Sequence, residues 1–163
     1  MTVGQAHQEL EKLEIDSHFI EFYQWAVCLG YPVTILSSGL LELITVYLSL
    51  HFPQGLDKST KILANNLVFD PSSSQWDIKY LDDTDHGHDK GQALRNAKAN
   101  HPDATIVFIG DGISDLSAAK EAHYVFAKRG KDLAIFCSRQ GITHYEWEDF
   151  SEIMLILKSE IIK

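Results

Sequence analysis

Basic residues are scarce: Lys and Arg number 14 against 23 Asp and Glu, a net charge of -9 with histidine neutral. A nucleic-acid footprint needs clustered positive charge, so that class of partner is excluded. The same balance slows any anionic substrate unless its site is locally positive. Cysteine is scarce too. Cys28 and Cys137 lie far apart, each among apolar neighbours, and no C-x-x-C pair supports a zinc or redox reading. Both are expected to be buried free thiols in a reducing compartment. No apolar run comes near the ~20 residues that span a bilayer, so no membrane partner is expected. The opening residues, MTVGQAHQELEKLEID, hold no basic stretch followed by an apolar one. No secretory signal is read there, and a cytoplasmic protein is expected.

What remains is an ordinary globular composition, 45% hydrophobic and 23% charged, over 163 residues, enough for one domain. Asp16 is placed to cap a helix through SHFIEFYQWAVCL, with Phe19, Phe22, Ala26 and Leu29 on one face and Gly30 past its end. PVTIL (32–36) predicts a strand stopped by SSG, then a helix from Leu40 to Leu50. KILANNLVFD (61–70) and QWDIKY predict a hairpin turned by PSSS. Beyond it come a helix over DKGQALRNAKANHP, a strand at ATIVFIG and a helix at ISDLSAAKEA, opened by Ser114 or Asp115. Then follow a strand at HYVFAK, a helix at DLAIFCSRQG ended by Gly141, a strand at HYEWEDF and a closing helix. Strands alternating with helices predict an α/β fold with a mainly parallel sheet, in which ligands sit beyond the carboxyl ends of the strands.

Two strand ends carry polar residues and glycine together. At VFIGDGISDL, Asp111 stands between Gly110 and Gly112, which permit close backbone approach, and Asp115 follows. A hard cation such as Mg²⁺ takes one or two carboxylates with water and phosphate oxygens. Asp115 reads as an indirect ligand, as a partner for a lysine, or as a plain helix cap beside Ser114. At the other end, Ser37, Ser38 and Gly39 precede a helix, where a hydroxyl and backbone N–H groups make a phosphate cradle or an ordinary serine cap. Lys90, in HGHDKGQAL, reads as a point charge for a phosphoryl group or as a surface lysine.

In this order, a strand ending in Ser37, then Lys90, then the Gly110–Asp115 stretch, the chain resembles the haloacid dehalogenase (HAD) superfamily of phosphatases at its motifs II, III and IV. DDTDHGHDKG and GITHYEWEDF are similar to the phosphoserine-phosphatase-like branch, with the fungal small-molecule and methionine-salvage phosphatases. The resemblance implies a Rossmann-like three-layer α/β/α core spanning 32–163, with 1–31 a remnant of cap and linker helices. It also implies that Ser37, with the amides of Ser38 and Gly39, binds phosphate, that Lys90 binds the phosphoryl oxygens, that Asp111 holds Mg²⁺ and that Asp115 supports metal and lysine. The substrate implied is a small phosphorylated metabolite.

One motif of that family has no counterpart. Its nucleophile is the first aspartate of a D-x-D at the end of an apolar strand ahead of all the rest, and it forms an aspartyl-phosphate. Nothing before Val33 has that form, and Asp83-Thr84-Asp85 lies too late, in a polar loop. The expected protein is therefore a single, N-terminally incomplete HAD-like domain without its central strand and most of its cap, binding Mg²⁺ weakly and inactive alone. A non-catalytic phosphate- or partner-binding protein and a truncated gene product are the alternatives. The absent strand predicts self-association or a strand-donating partner. His86 and His88 have no third and fourth ligand at metal spacing and read as loop histidines. Trp25, Trp76 and Trp147 read as packing residues.

Overall fold

The β-branched run ahead of the paired serines becomes a strand that continues through them. In a computed structural model describing residues 8–70, 72, 75–85 and 87–162, the chain divides into two compact units, Met1–His88 and Asp89–Lys163. Most of the turn expected at PSSS, and His86, fall outside the described residues.

In the first unit, helix α1 (Phe19–Cys28) buries the face of Phe22, Tyr23 and Ala26. Asp16 does not cap it directly; its Oδ1 accepts the His18 N–H at 2.9 Å, one turn earlier. Gly30, at φ +77°, turns the chain away, and this leaves Leu29 exposed instead of on the packed face. Cys28 is exposed as well, against expectation, because it too falls at the helix end. Strand β1 (Thr34–Leu40) leads into α2 (Leu41–His51), and the hairpin strands are β2 (Lys61–Asp70) and β3 (Gln75–Lys79). β1 pairs with β2 in parallel and β2 with β3 antiparallel. Tyr23, Leu48 and Phe52 form the core under this sheet, the Tyr23 and Phe52 rings meeting edge to face at 5.0 Å. The Tyr23 hydroxyl reaches Thr60 Oγ1 and accepts the Asp57 N–H, each at 2.7 Å, so the buried ring carries a satisfied polar end.

The second unit runs α3 (Lys90–Asn100), β4 (Val107–Gly110), a single 3₁₀ turn (Ile113–Asp115), α4 (Leu116–Ala119), β5 (Tyr124–Lys128), α5 (Asp132–Gln140), β6 (Tyr145–Trp147) and α6 (Phe150–Ile156), which widens into a π turn over Leu157–Ile161. Its three strands are all parallel, in the order β4-β5-β6. Phe126, Leu133, Cys137 and Ile153 are fully buried between strand and helices. Burial pushes the Cys137 thiol up from its ordinary range. Gly141 ends α5 in the left-handed conformation at φ +67°. Among the described residues no helix is long and apolar enough to cross a membrane.

β1 and β4 each end their own three-stranded sheet. A strand at a sheet end presents a row of unpaired N–H and C=O groups to other chains. The hairpin adds to this: β3 is exposed along its whole length, with Phe69 and Trp76 paired across it at 5.1 Å between ring centroids. The chain alone is expected to elute ahead of the monomer position in size-exclusion chromatography. A monodisperse monomer with one cooperative urea transition at ~5 kcal/mol or more would overturn that expectation.

Candidate functional site

The first unit carries its candidate residues on a bulge. β1 and β2 stay in register to Leu36↔Leu63 and resume at Leu40↔Asn65, so Ser37, Ser38 and Gly39 stand opposite Ala64 alone. A bulge bends its strand and re-aims side chains, and such bulges recur beside binding sites. Ser37 Oγ accepts the Gly39 N–H at 3.0 Å. That bond closes the bulge and leaves the Ser37 hydroxyl proton free to donate elsewhere. Helix α2 starts directly after it, with its first N–H groups unpaired by the helix itself.

Two buried side chains hold the bulge from behind. Asn65, 1% exposed, donates from Nδ2 to the Ser38 carbonyl at 2.9 Å and accepts the Leu81 N–H at 3.0 Å. His88, 5% exposed, places Nδ1 3.1 Å from the Ser37 carbonyl. A carbonyl only accepts, so the proton is on Nδ1. Sequence reading passed over both residues, taking His88 for a loop histidine. The one available signal was Asn65 itself, an amide inside an otherwise apolar strand that disfavours it.

In the second unit, Lys90, Ser114 and Asp115 are brought together. Lys90 opens α3, yet its side chain is 8% exposed, with Nζ 2.6 Å from Asp115 Oδ1 and 3.0 Å from Ser114 Oγ. Asp115 Oδ2 accepts the Asp111 and Gly112 N–H groups at 2.9 and 3.0 Å. Asp115 stands at the N-cap position of α4, but its side chain makes no cap bond to that helix; it and Ser114 are spent on the lysine and the turn after β4. That turn needs glycine. A Cβ on Gly110 would stand 2.5 Å from Asp115 Oδ2, which is inside contact distance. Gly91 is equally constrained, since its Cβ would meet the Ser117 carbonyl oxygen at 2.8 Å. Asp89, just ahead of α3, pairs with Arg95 at 2.8 Å. Burial alone would raise its carboxyl, but hydrogen bonds from Ser117, Gln92 and Arg95 outweigh burial and hold it below the ordinary range.

Asp111 is exposed at the carboxyl end of β4, its backbone carbonyl taken by the Leu133 N–H at 3.1 Å. Among the described residues no three His, Cys, Asp or Glu side chains gather as a metal site. A hard cation that keeps most of its water needs only one or two carboxylates, and the exposed Asp111 carboxylate could supply one. Asp115, with both oxygens engaged, fits as support. Asp83 and Asp85 are exposed in a turn that Asp82 closes by accepting the Thr84 N–H at 3.0 Å.

The residue pattern finds counterparts in known proteins. Residues 2–120 match the family model of the haloacid dehalogenase-like hydrolases. Pdp3-interacting factor 1 of Schizosaccharomyces pombe is 37% identical over 157 residues, covering 94% of this chain and 68% of that protein. The polyol phosphate phosphatase PYP1 of Saccharomyces cerevisiae is 34% identical, over 91% of this chain and 64% of its own length. A 2-hydroxy-3-keto-5-methylthiopentenyl-1-phosphate phosphatase of Bacillus velezensis is 25% identical, over 88% and 59%. The chain thus spans roughly two thirds of the length of these curated relatives. Among solved structures, a substrate-bound phosphoserine phosphatase superposes with a TM-score of 0.70 at 18% identity, over 95% of this chain and 70% of the other. A probable phosphoserine phosphatase of Vibrio cholerae gives 0.67 at 20%, over 95% and 45%. That likeness shows the fold: mixed α/β with parallel sheets, the Rossmann-like arrangement that the alternation of strands and helices predicts.

Proposed function

The chain belongs to the haloacid dehalogenase-like hydrolase family, and from that premise we propose that it carries the phosphate- and cation-binding part of a phosphomonoesterase for small phosphorylated metabolites. The three binding motifs lie within residues 32–163, and α1 packs Tyr23 into the core of the first unit. The Ser37 hydroxyl and the Ser38 N–H receive phosphoryl oxygens, with Gly39 holding Ser37 in place. Lys90, in the second unit, supplies a positive charge for phosphoryl oxygens in a chain of net charge -9. Asp111 offers a carboxylate to Mg²⁺, which when bound offsets charge on the phosphoryl group. The two unpaired thiols support a reducing, cytoplasmic setting.

The single observation behind this reading is the state of Lys90. A buried ammonium has three N–H donors. Two are committed, to Asp115 and Ser114, so one remains for an anion. Asp115 Oδ1, 2.6 Å away, holds the Nζ in place, which is the arrangement a phosphoryl-binding lysine needs.

Inorganic phosphate titrated into the chain by calorimetry tests the assignment. Lys90→Ala is expected to weaken phosphate at least tenfold, in line with loss of a charged hydrogen bond of about 1.5–3 kcal/mol. Ser37→Ala should weaken it severalfold. Equal phosphate affinity in wild type and Lys90→Ala sinks the proposal.

A further inference from the structure

We propose that Asn65 and His88 are positioning residues that set the direction of the Gly39 and Ser38 N–H groups by holding the carbonyls of the same two peptide units. The proposal rests on the phosphate-binding reading of the Ser37–Gly39 bulge and deepens it.

In a trans peptide, the carbonyl of one residue and the N–H of the next point in opposite directions within one plane. Fixing the Ser37 carbonyl therefore fixes the Ser38 N–H, and fixing the Ser38 carbonyl fixes the Gly39 N–H. His88 Nδ1 holds the first at 3.1 Å and Asn65 Nδ2 the second at 2.9 Å. Both peptide planes are thus locked from the buried side. The Gly39 N–H is thereby aimed at Ser37 Oγ, and the Ser38 N–H faces away from His88.

A bulge needs this help. Between Leu36 and Leu40 the ladder with β2 is interrupted, so these peptides have no strand partner to orient them. Left free, each plane could rotate and present its carbonyl to an incoming anion, which repels it. Preorganised donors stabilise developing or bound negative charge because no reorganisation is required on arrival. Asn65 is suited to the task because its other end is also committed, to the Leu81 N–H at 3.0 Å, so its amide cannot flip without losing both bonds. His88 lies two residues before Lys90 in the chain, so the segment that orients the bulge also leads into the phosphoryl-binding lysine.

The test uses the full chain, inorganic phosphate by calorimetry, and the backbone amide signals of Ser38 and Gly39 by ¹⁵N NMR. His88→Leu removes the donor. His88→Asn puts an amide N–H near the place of Nδ1. Asn65→Asp keeps the acceptor for Leu81 and replaces the donor with a carboxylate oxygen. His88→Leu and Asn65→Asp are each expected to weaken phosphate about tenfold, the scale of one well-placed hydrogen bond. They should also shift the Ser38 and Gly39 amide signals, respectively, in the absence of phosphate. His88→Asn should restore affinity to within about threefold of wild type. Unmoved amide signals, or unchanged phosphate affinity in His88→Leu, would overturn the proposal. So would an affinity loss in His88→Asn equal to that in His88→Leu, which marks a packing role. Should wild type bind no phosphate, the functional reading fails, while the two amide signals still decide whether Asn65 and His88 orient the bulge. Where His88→Leu does not fold, His88→Asn and Asn65→Asp carry the same comparison.

Discussion

Incubated with p-nitrophenyl phosphate or a small sugar phosphate in millimolar Mg²⁺, the 163-residue chain is expected to release phosphate no faster than buffer. Hydrolysis through an aspartyl-phosphate requires a carboxylate that attacks phosphorus in line with the leaving oxygen. Phosphate binding of the kind proposed for Ser37 and for Lys90 does not form that bond. Loss of a catalytic nucleophile costs about a millionfold in kcat where it has been measured in a hydrolase. The exposed Asp83 and Asp85 sit in a turn built from local bonds, outside any strand end. Steady-state phosphate release, followed in wild type and Asp111→Asn, checks the expectation. Robust turnover that disappears in Asp111→Asn would overturn it and move Asp83 or Asp85 into the catalytic role.

The second large effect concerns the ion pair. Asp115→Ala strands the Lys90 ammonium in a buried position and leaves the Asp111 and Gly112 N–H groups without their acceptor. Breaking a buried pair by removing one partner costs about 3–5 kcal/mol, because the other charge stays desolvated. Lys90→Met should cost less, since Asp115 Oδ2 keeps its two backbone donors. Apolar replacement of both should cost less than the two single losses added together. Urea unfolding read by circular dichroism gives these values; where wild-type stability is smaller than the loss, Asp115→Ala will not fold at 25 °C. A loss under about 1 kcal/mol, the range of an exposed pair, would contradict the burial on which the phosphate reading depends.

The two expectations differ in how far the sequence alone leads to them. Long elements with clean periodicity were legible: β2 spans the residues its composition marks, and Gly141 ends α5 as a left-handed cap. The family was legible too, because the order of Ser37, Lys90 and the Gly110–Asp115 stretch along the chain needs no knowledge of geometry, and residues 2–120 match the family model. The bulge was not. SSG looks like a strand stop because serine and glycine are turn residues, and nothing local says that the ladder resumes at Leu40. The helix expected over ISDLSAAKEA shrinks to a 3₁₀ turn and the four residues of α4, since Ser114 and Asp115 are drawn toward Lys90. Asn65 and His88 were hidden for a related reason. Their partners are backbone carbonyls 27 and 51 residues away, and a carbonyl leaves no mark in a sequence.

The bulge also constrains change in length. β1 carries three residues where β2 carries one, an excess of two, so the inward-outward alternation resumes in phase at Leu40. Deleting or inserting one residue there would reverse the face of Leu40 and turn the start of α2 by about 100°. Deleting two would regenerate a flat, regular ladder with no cradle at all. Insertions and deletions at 37–39 should therefore be tolerated less than most substitutions, and the quantity under constraint is the residue count between Leu36 and Leu40.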